Sequence, residues 1–240
     1  MNYIEERNEL VEFGRRMSQE GLSSGTSGNL SIYLKEEGLV LITPSGMGYF
    51  DIMPEDIVVM DLEGRVVEGD RKPSSEYHLH TLFYKNRPNA GAVVHTHSIY
   101  STALSVMRKP ILPVHYAIVE ANAFEIPCAK YARYGTEELA RNAMEAIGED
   151  SNAVLLANHG LVAGGATLPK AYGLVKTLEF VAEIQLRAYA AGEPVLLTRE
   201  ELEEVKVGFK GYGQSESAAP SRKGEDDETK RRRSRRWIYR

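Results

Sequence analysis

Three times along this chain, two short apolar runs are separated by only a few turn-forming residues. NLSIYL and LVLI flank Glu36 to Gly38, DIVVMD and RVVEG flank Glu63-Gly64, and SNAVLLA and LVAGG flank Asn158-His159-Gly160. A parallel strand pair needs a crossover of a dozen or more residues, so spacing this short permits only antiparallel pairing. Segments of helical period lie between the runs. Residues 4–20 carry Ile4, Leu10, Val11, Phe13 and Met17 among charges and stop at Gly21. SSEYHLHTLFYKN follows Pro73, SIYSTALSVM starts at Ser98, TEELARNAMEAIGED starts at Thr136, and LPKAYGLVKTLEFVAEIQLRAYAAG, the strongest helix, ends at Gly192. The pattern predicts an α/β chain with a largely antiparallel central sheet and helices packed on it.

With 240 residues, 42% of them hydrophobic, the chain is long enough to build a core. No apolar run of about 18 residues occurs, and the N-terminus MNYIEERNELVEFGRRM is too charged for a signal peptide, so a cytoplasmic protein without a membrane span is expected. The single Cys128 cannot form an intramolecular disulfide and reads as a small buried hydrophobe. Net charge is −5, but residues 215–240 hold nine Lys or Arg against five Asp or Glu, which leaves residues 1–214 at −9. An acidic body argues against a nucleic-acid-binding core. The basic end SESAAPSRKGEDDETKRRRSRRWIYR reads as a disordered tail outside the fold, with KRRRSRR the one stretch suited to nucleic acid or an anionic surface.

Six histidines are present. In GAVVHTHS, residues 91–98, side chains alternate along the strand, so His95 and His97 share a face while Thr96 takes the other. The pair alone suits a structural role as well as a metal. His159 closes the apolar run SNAVLLANHG and brings a third imidazole to the end of a core strand, where a site can open. Three imidazoles favour Zn2+ over Mg2+ or Ca2+ and leave a coordination position open. A structural zinc site would use four ligands with cysteines, and Cys128 is alone. His78 and His80, two apart on a helix, do not share a face; with His115 they are outside candidates.

Glu76 in KPSSEYHLH follows Pro73, Ser74 and Ser75 at a helix start, which a plain helix cap by Ser74 or Ser75 explains. Three polar loops, GTSGN (25–29), TPSG (43–46) and PSS (73–75), offer N–H groups and hydroxyls suited to a phosphate. Ordinary turns use the same residues.

GTSGNLS, ITPSG, KPSSEYHLH, AVVHTHS, HYAI, IPCAKYARYGTEEL and LLANHGL stand in the order found in the class II aldolase and adducin head family. The chain resembles that family over about residues 5–213, most of all its L-fuculose-1-phosphate aldolase branch. The resemblance implies a three-layer α/β/α domain over residues 1–214, with His95, His97 and His159 holding zinc and Glu76 joining them when no substrate is bound. It implies Glu76 as catalytic acid/base, and Gly28, Asn29, Ser45, Gly46, Ser74 and Ser75 as the residues that bind the substrate phosphate. Tyr116 and Tyr134 match aromatic positions near the substrate, and Phe209 and Tyr212 match a C-terminal segment that closes the site. Tyr116 and Tyr212 are the candidates for the aldehyde oxygen. In the family the counterpart of Tyr116 comes from a neighbouring subunit, which implies a homotetramer with the site at subunit interfaces.

The activity implied is reversible cleavage of a ketose 1-phosphate, such as L-fuculose 1-phosphate, to dihydroxyacetone phosphate and L-lactaldehyde. Zinc would stabilise the enediolate, so no Schiff-base lysine is required. An L-ribulose-5-phosphate 4-epimerase type is the alternative. Such enzymes usually carry Asp at the place of Glu76 and a further acid before IPC, near Glu120, which reads more simply as an exposed carboxylate. A methylthioribulose-1-phosphate dehydratase type is a third option. An adducin-like scaffold is the non-enzymatic one, and it has no reason to retain three histidines and a carboxylate.

Overall fold

A computed structural model describes residues 1–209; Tyr212 and the basic tail lie outside the described residues. The chain divides into a compact unit, Met1–Lys206, and a C-terminal unit, Val207–Arg240. Its elements are α1 (Ile4–Gln19), β1 (Asn29–Leu34), β2 (Leu39–Ile42), β3 (Val58–Asp61), β4 (Val66–Glu68), α2 (Tyr77–Asn86), β5 (Ala92–Thr96) and α3 (Ile99–Val106). Then follow β6 (Cys128–Ala129), α4 (Glu137–Ile147), β7 (Ala153–Leu156), β8 (Gly160–Gly165), α5 (Leu168–Ala191) and α6 (Arg199–Phe209).

The strands form one sheet in the order β4-β3-β2-β1-β5-β8-β7-β6. Every pairing is antiparallel except β6 with β7. The three tight-turn pairs read from the sequence are the β1–β2, β3–β4 and β7–β8 hairpins. Helices cover both faces, which completes the three layers. On one face Val40, Ile42, Val58, Met60, Val93, Val154, Leu156 and Val162 of the sheet pack against Leu79 and Phe83 of α2 and Leu139, Ala140, Ala143 and Ile147 of α4. On the other, α5 runs along β5 and β8 and touches α1 and α3.

Local chemistry explains several of these elements. Thr136 caps α4 by accepting from the Leu139 N–H at 3.2 Å, a contact worth about 1 kcal/mol. Gly164 lies opposite Val93, and a Cβ there would sit 2.2 Å from the Phe83 ring. The missing side chain is the space in which Phe83 buries, a gain of about 2–3 kcal/mol. From α5, Glu179 reaches the first turn of α3, accepting from the N–H groups of Tyr100 at 2.7 Å and Ser101 at 2.9 Å. Those amides have no partner within their own helix, so α3 receives its cap from another element.

Three expectations need correction. α2 begins at Tyr77 and Glu76 itself is its N-cap residue, with no cap bond from its own side chain, while Ser74 Oγ accepts from the Glu76 N–H at 3.3 Å. Cys128 is half-buried rather than enclosed, its thiol near the carbonyls of Ser105 and Ala129. The helix α6 was not anticipated. Among the described residues no helix is long and apolar enough to cross a membrane.

Candidate metal centre and active site

His95 sits on a central strand, with Asn29 of β1 and Val162 of β8 as its register partners. Its imidazole is fully buried, and Nδ1 donates to the Leu161 carbonyl at 3.0 Å. That bond commits the Nδ1 proton and leaves the Nε2 lone pair facing inward, the arrangement a metal-ligating imidazole needs. His97 follows the end of β5, and its backbone N–H donates to Ser23 Oγ at 3.2 Å. His159 occupies the β7–β8 turn. Asn158 there takes a left-handed conformation, φ 56°, and its N–H donates to the Ser105 carbonyl at 3.1 Å. The two ends come close because residue 160 is glycine: a Cβ would lie 2.2 Å from the Thr96 carbonyl oxygen.

The fourth member, Glu76, arrives from the N-terminus of α2. Its Oε2 lies 3.3 Å from His95 Nε2 and its Oε1 3.4 Å from His159 Nε2, while His95 and His97 face each other Nε2 to Nε2 at 3.0 Å. One donor atom from each of the four lies within 4.8 Å of all the others. Burial alone would raise the Glu76 pKa, but His95 and His159 together with the Asn29 hydrogen bond outweigh it and hold the carboxyl well below its usual range. His97 is pushed down to about 4 and His159 to about 3, by burial and by the charge on His95. His95 is also buried, yet the neighbouring carboxylate raises its pKa. At neutral pH the cluster thus holds an ionised carboxylate and two neutral imidazoles, with the pKa of the third raised by that carboxylate.

Such a donor set suits a divalent metal ion. Glu76 Oε1 gives a direct test of fit: it is buried and has no hydrogen-bond partner, a costly condition that a coordinated cation relieves.

A hydrogen-bonded layer stands behind Glu76. Asn29 Nδ2 donates to Glu76 Oε2 at 3.0 Å, and Asn29 Oδ1 lies 2.5 Å from His80 Nε2. His80 Nδ1 is 2.6 Å from Ser31 Oγ, which is 2.6 Å from the Tyr84 hydroxyl. His80 is fully buried, and burial pushes its pKa down to about 3.

The cluster forms the floor of a cavity of about 410 Å3. Its wall is made by Thr26 to Asn29, by Pro44 to Gly46 and by Ser74 and Ser75, with Tyr131, Tyr134 and Asn158 at the rim. Backbone bonds zip two of these loops together, Ser45 N to Lys72 O at 2.9 Å and Ser74 N to Thr43 O at 3.1 Å. Thus Gly28, Asn29, Ser45, Gly46, Ser74, Ser75, Tyr134, Glu76, His97 and His159 border one space, and His95 closes it beneath. A larger cavity, about 570 Å3, lies beside α6, but it gathers no comparable set of metal donors.

Tyr116 does not line the cavity; it starts a short 3-10 turn, 49% exposed, with its ring against His115. His115 caps that turn through Nδ1, and His78 stacks on Tyr77 outside the site. Glu120 is exposed as expected and accepts from Thr177. Phe209 ends α6, and its side chain, like Tyr212, lies outside the described residues. Thr26 and Ser27 of the GTSGN loop line the wall with Gly28 and Asn29, and His80, an outside candidate, takes a supporting place; Tyr131 and Asn158 were not anticipated. For His80 a signal existed: it stands four residues after Glu76, on the same helix face.

Residues 8–186 match the Class II Aldolase and Adducin N-terminal domain, and the chain belongs to that family of aldolase-type lyases. A 5-deoxy-D-ribulose 1-phosphate aldolase of Bacillus thuringiensis serovar kurstaki is 43% identical over 209 residues, 87% of this chain and 97% of its own length. An L-fuculose phosphate aldolase of Escherichia coli O6:H1 is 39% identical over 213 residues, with 87% and 97% covered. The solved structure of an L-fuculose 1-phosphate aldolase reaches a TM-score of 0.83 at 44% identity, covering 86% of this chain and 96% of its own.

Proposed function

We propose that this chain is a zinc-dependent aldolase that reversibly cleaves a deoxyketose 1-phosphate to dihydroxyacetone phosphate and a short aldehyde. The observation that carries the reading is a single cavity with two chemically different parts. Three imidazoles and a carboxylate converge on the floor, and hydroxyl- and amide-bearing loops form the wall. His95, His97 and His159 would hold the zinc, with Glu76 reaching it when no substrate is bound. Bound there, the metal acts as a Lewis acid toward the ketone and the charge that develops as the carbon-carbon bond breaks, so no Schiff-base lysine is required.

The chain's own residues supply the rest. Ser45, Gly46, Ser74, Ser75, Gly28 and Asn29 receive the phosphate; among the described lining residues none is Lys or Arg, so N–H and hydroxyl dipoles do the holding. Glu76, ionised and with Oε1 unpartnered, takes and returns the proton at the carbon beside the ketone. Tyr116 and Tyr212 serve the aldehyde oxygen. Tyr116 enters from a neighbouring subunit, so a homotetramer is part of this reading.

L-fuculose 1-phosphate and 5-deoxy-D-ribulose 1-phosphate, named for two of the relatives, share the dihydroxyacetone phosphate half and a methyl terminus. They differ in the aldehyde released, L-lactaldehyde or acetaldehyde. The test is to incubate purified protein with dihydroxyacetone phosphate and each aldehyde in turn. Formation of a ketose 1-phosphate by protein carrying about one zinc per chain is expected. Epimerisation of ribulose 5-phosphate with no aldehyde consumed or released would sink the aldolase; protein with neither metal nor turnover would be a scaffold.

A further inference from the structure

His80 is buried, titratable and unused by the chemistry above, yet it ends a chain of hydrogen bonds that leads to Glu76. From Ser31 to Glu76 the direction of each bond follows from the ionised carboxylate at its end. An ionised carboxylate only accepts, so Asn29 must turn its NH2 toward Glu76 Oε2 and its carbonyl Oδ1 toward His80. Oδ1 cannot donate, so His80 must present an N–H at Nε2. A neutral imidazole then accepts at Nδ1, which requires the Ser31 hydroxyl to donate there. Ser31 Oγ in turn has a lone pair for the Tyr84 hydroxyl. The donors of Ser31, His80 and Asn29 therefore all point one way, toward the carboxylate.

Resting on the aldolase reading, we propose that His80 is a positioning residue that fixes the Asn29 amide and so assigns the two oxygens of Glu76 different tasks. Oε2, held by Asn29, stays an acceptor. Oε1, buried with no hydrogen-bond partner and 3.4 Å from His159 Nε2, is the oxygen that carries the proton. In the step concerned the substrate C–H bond breaks, its electron pair enters the enediolate, and the proton passes to Oε1; the reverse step returns it. Without the Nε2–H donor the Asn29 amide is free to turn, its carbonyl can face the carboxylate, and the division of labour is lost.

The step can be observed without knowing the aldehyde, by following exchange of the dihydroxyacetone phosphate C–H in deuterated water by NMR on the metal-loaded protein. His80→Leu removes the donor and is expected to slow exchange at saturating dihydroxyacetone phosphate about 10–100-fold, with metal content nearly unchanged. His80→Gln places an amide N–H near the same Asn29 oxygen and is expected to stay within about threefold of wild type. Ser31→Ala leaves the imidazole tautomer unconstrained and should fall between, about three- to tenfold slower. Exchange at the wild-type rate in His80→Leu overturns the proposal. So does an equal slowing in His80→Leu and His80→Gln, or a loss of metal that accounts for it, since packing alone would give either. If His80→Leu does not fold, a wild-type rate in Ser31→Ala overturns it instead. Wild-type protein that exchanges nothing refutes the aldolase reading itself, a result distinct from any ranking among the variants.

Discussion

His95 and Tyr134 belong to the same cavity, yet the first is fully buried in a central strand paired on both sides and the second is 61% exposed on a turn before α4. The floor inherits its geometry from the sheet. Strand register and the Leu161 carbonyl fix His95, and the Asn29 amide holds one oxygen of Glu76. The rim is made of loops and half-exposed tyrosines, whose positions the sheet does not dictate. Preorganised chemistry and adjustable selectivity are thus separated by a few ångströms.

Substitutions should sort by the part they touch. His97→Ala removes a floor ligand, and loss of bound metal by elemental analysis with turnover down at least about a thousandfold is expected. Glu76→Gln should retain the metal and lose about a hundred- to a thousandfold in turnover, because a carboxamide fills the space without moving a proton. Equal metal loss in both variants would make Glu76 chiefly a ligand. Phe83→Ala empties the pocket over Gly164 beneath the floor and should cost about 3–5 kcal/mol in denaturant unfolding. At the wall, Ser75→Ala is expected to raise KM about three- to tenfold with metal content intact. A comparable fall in metal there would erase the distinction between floor and wall. Thr136→Ala, distant from both, should cost about 1 kcal/mol of stability and leave kinetics unchanged.

The floor was more legible in the sequence than its supports. Two-residue periodicity alone places His95 and His97 on one face, and an apolar run ending at His159 marks a second strand end. The hairpin spacings likewise disclose an antiparallel sheet, since no crossover fits in three or four residues. His80 stood only as an outside candidate, and its supporting role was hidden because its partners Asn29 and Ser31 lie on β1, where only the packing of α2 across that strand brings them together. Around Ser74 and Ser75 a plain helix start and a site carboxylate read alike in the sequence, because the Glu76 side chain meets the three imidazoles while its backbone starts the helix. α6 escaped notice because, among its described side chains, Leu202 is the one buried apolar residue, too thin a stripe to show as periodicity.

The cap that Glu179 places on α3 has a temporal side. α3 begins two residues after His97, so its first turn and that ligand share a stretch of backbone. The last of the four donor residues, His159, precedes α5, which begins at Leu168, so all four donors stand N-terminal to the helix that supplies the cap. A nascent chain that stops short of Leu168 holds every ligand yet lacks the carboxylate that satisfies the Tyr100 and Ser101 amides. The backbone that carries His97 is thereby tied to the docking of the longest helix, although that helix contributes no donor of its own.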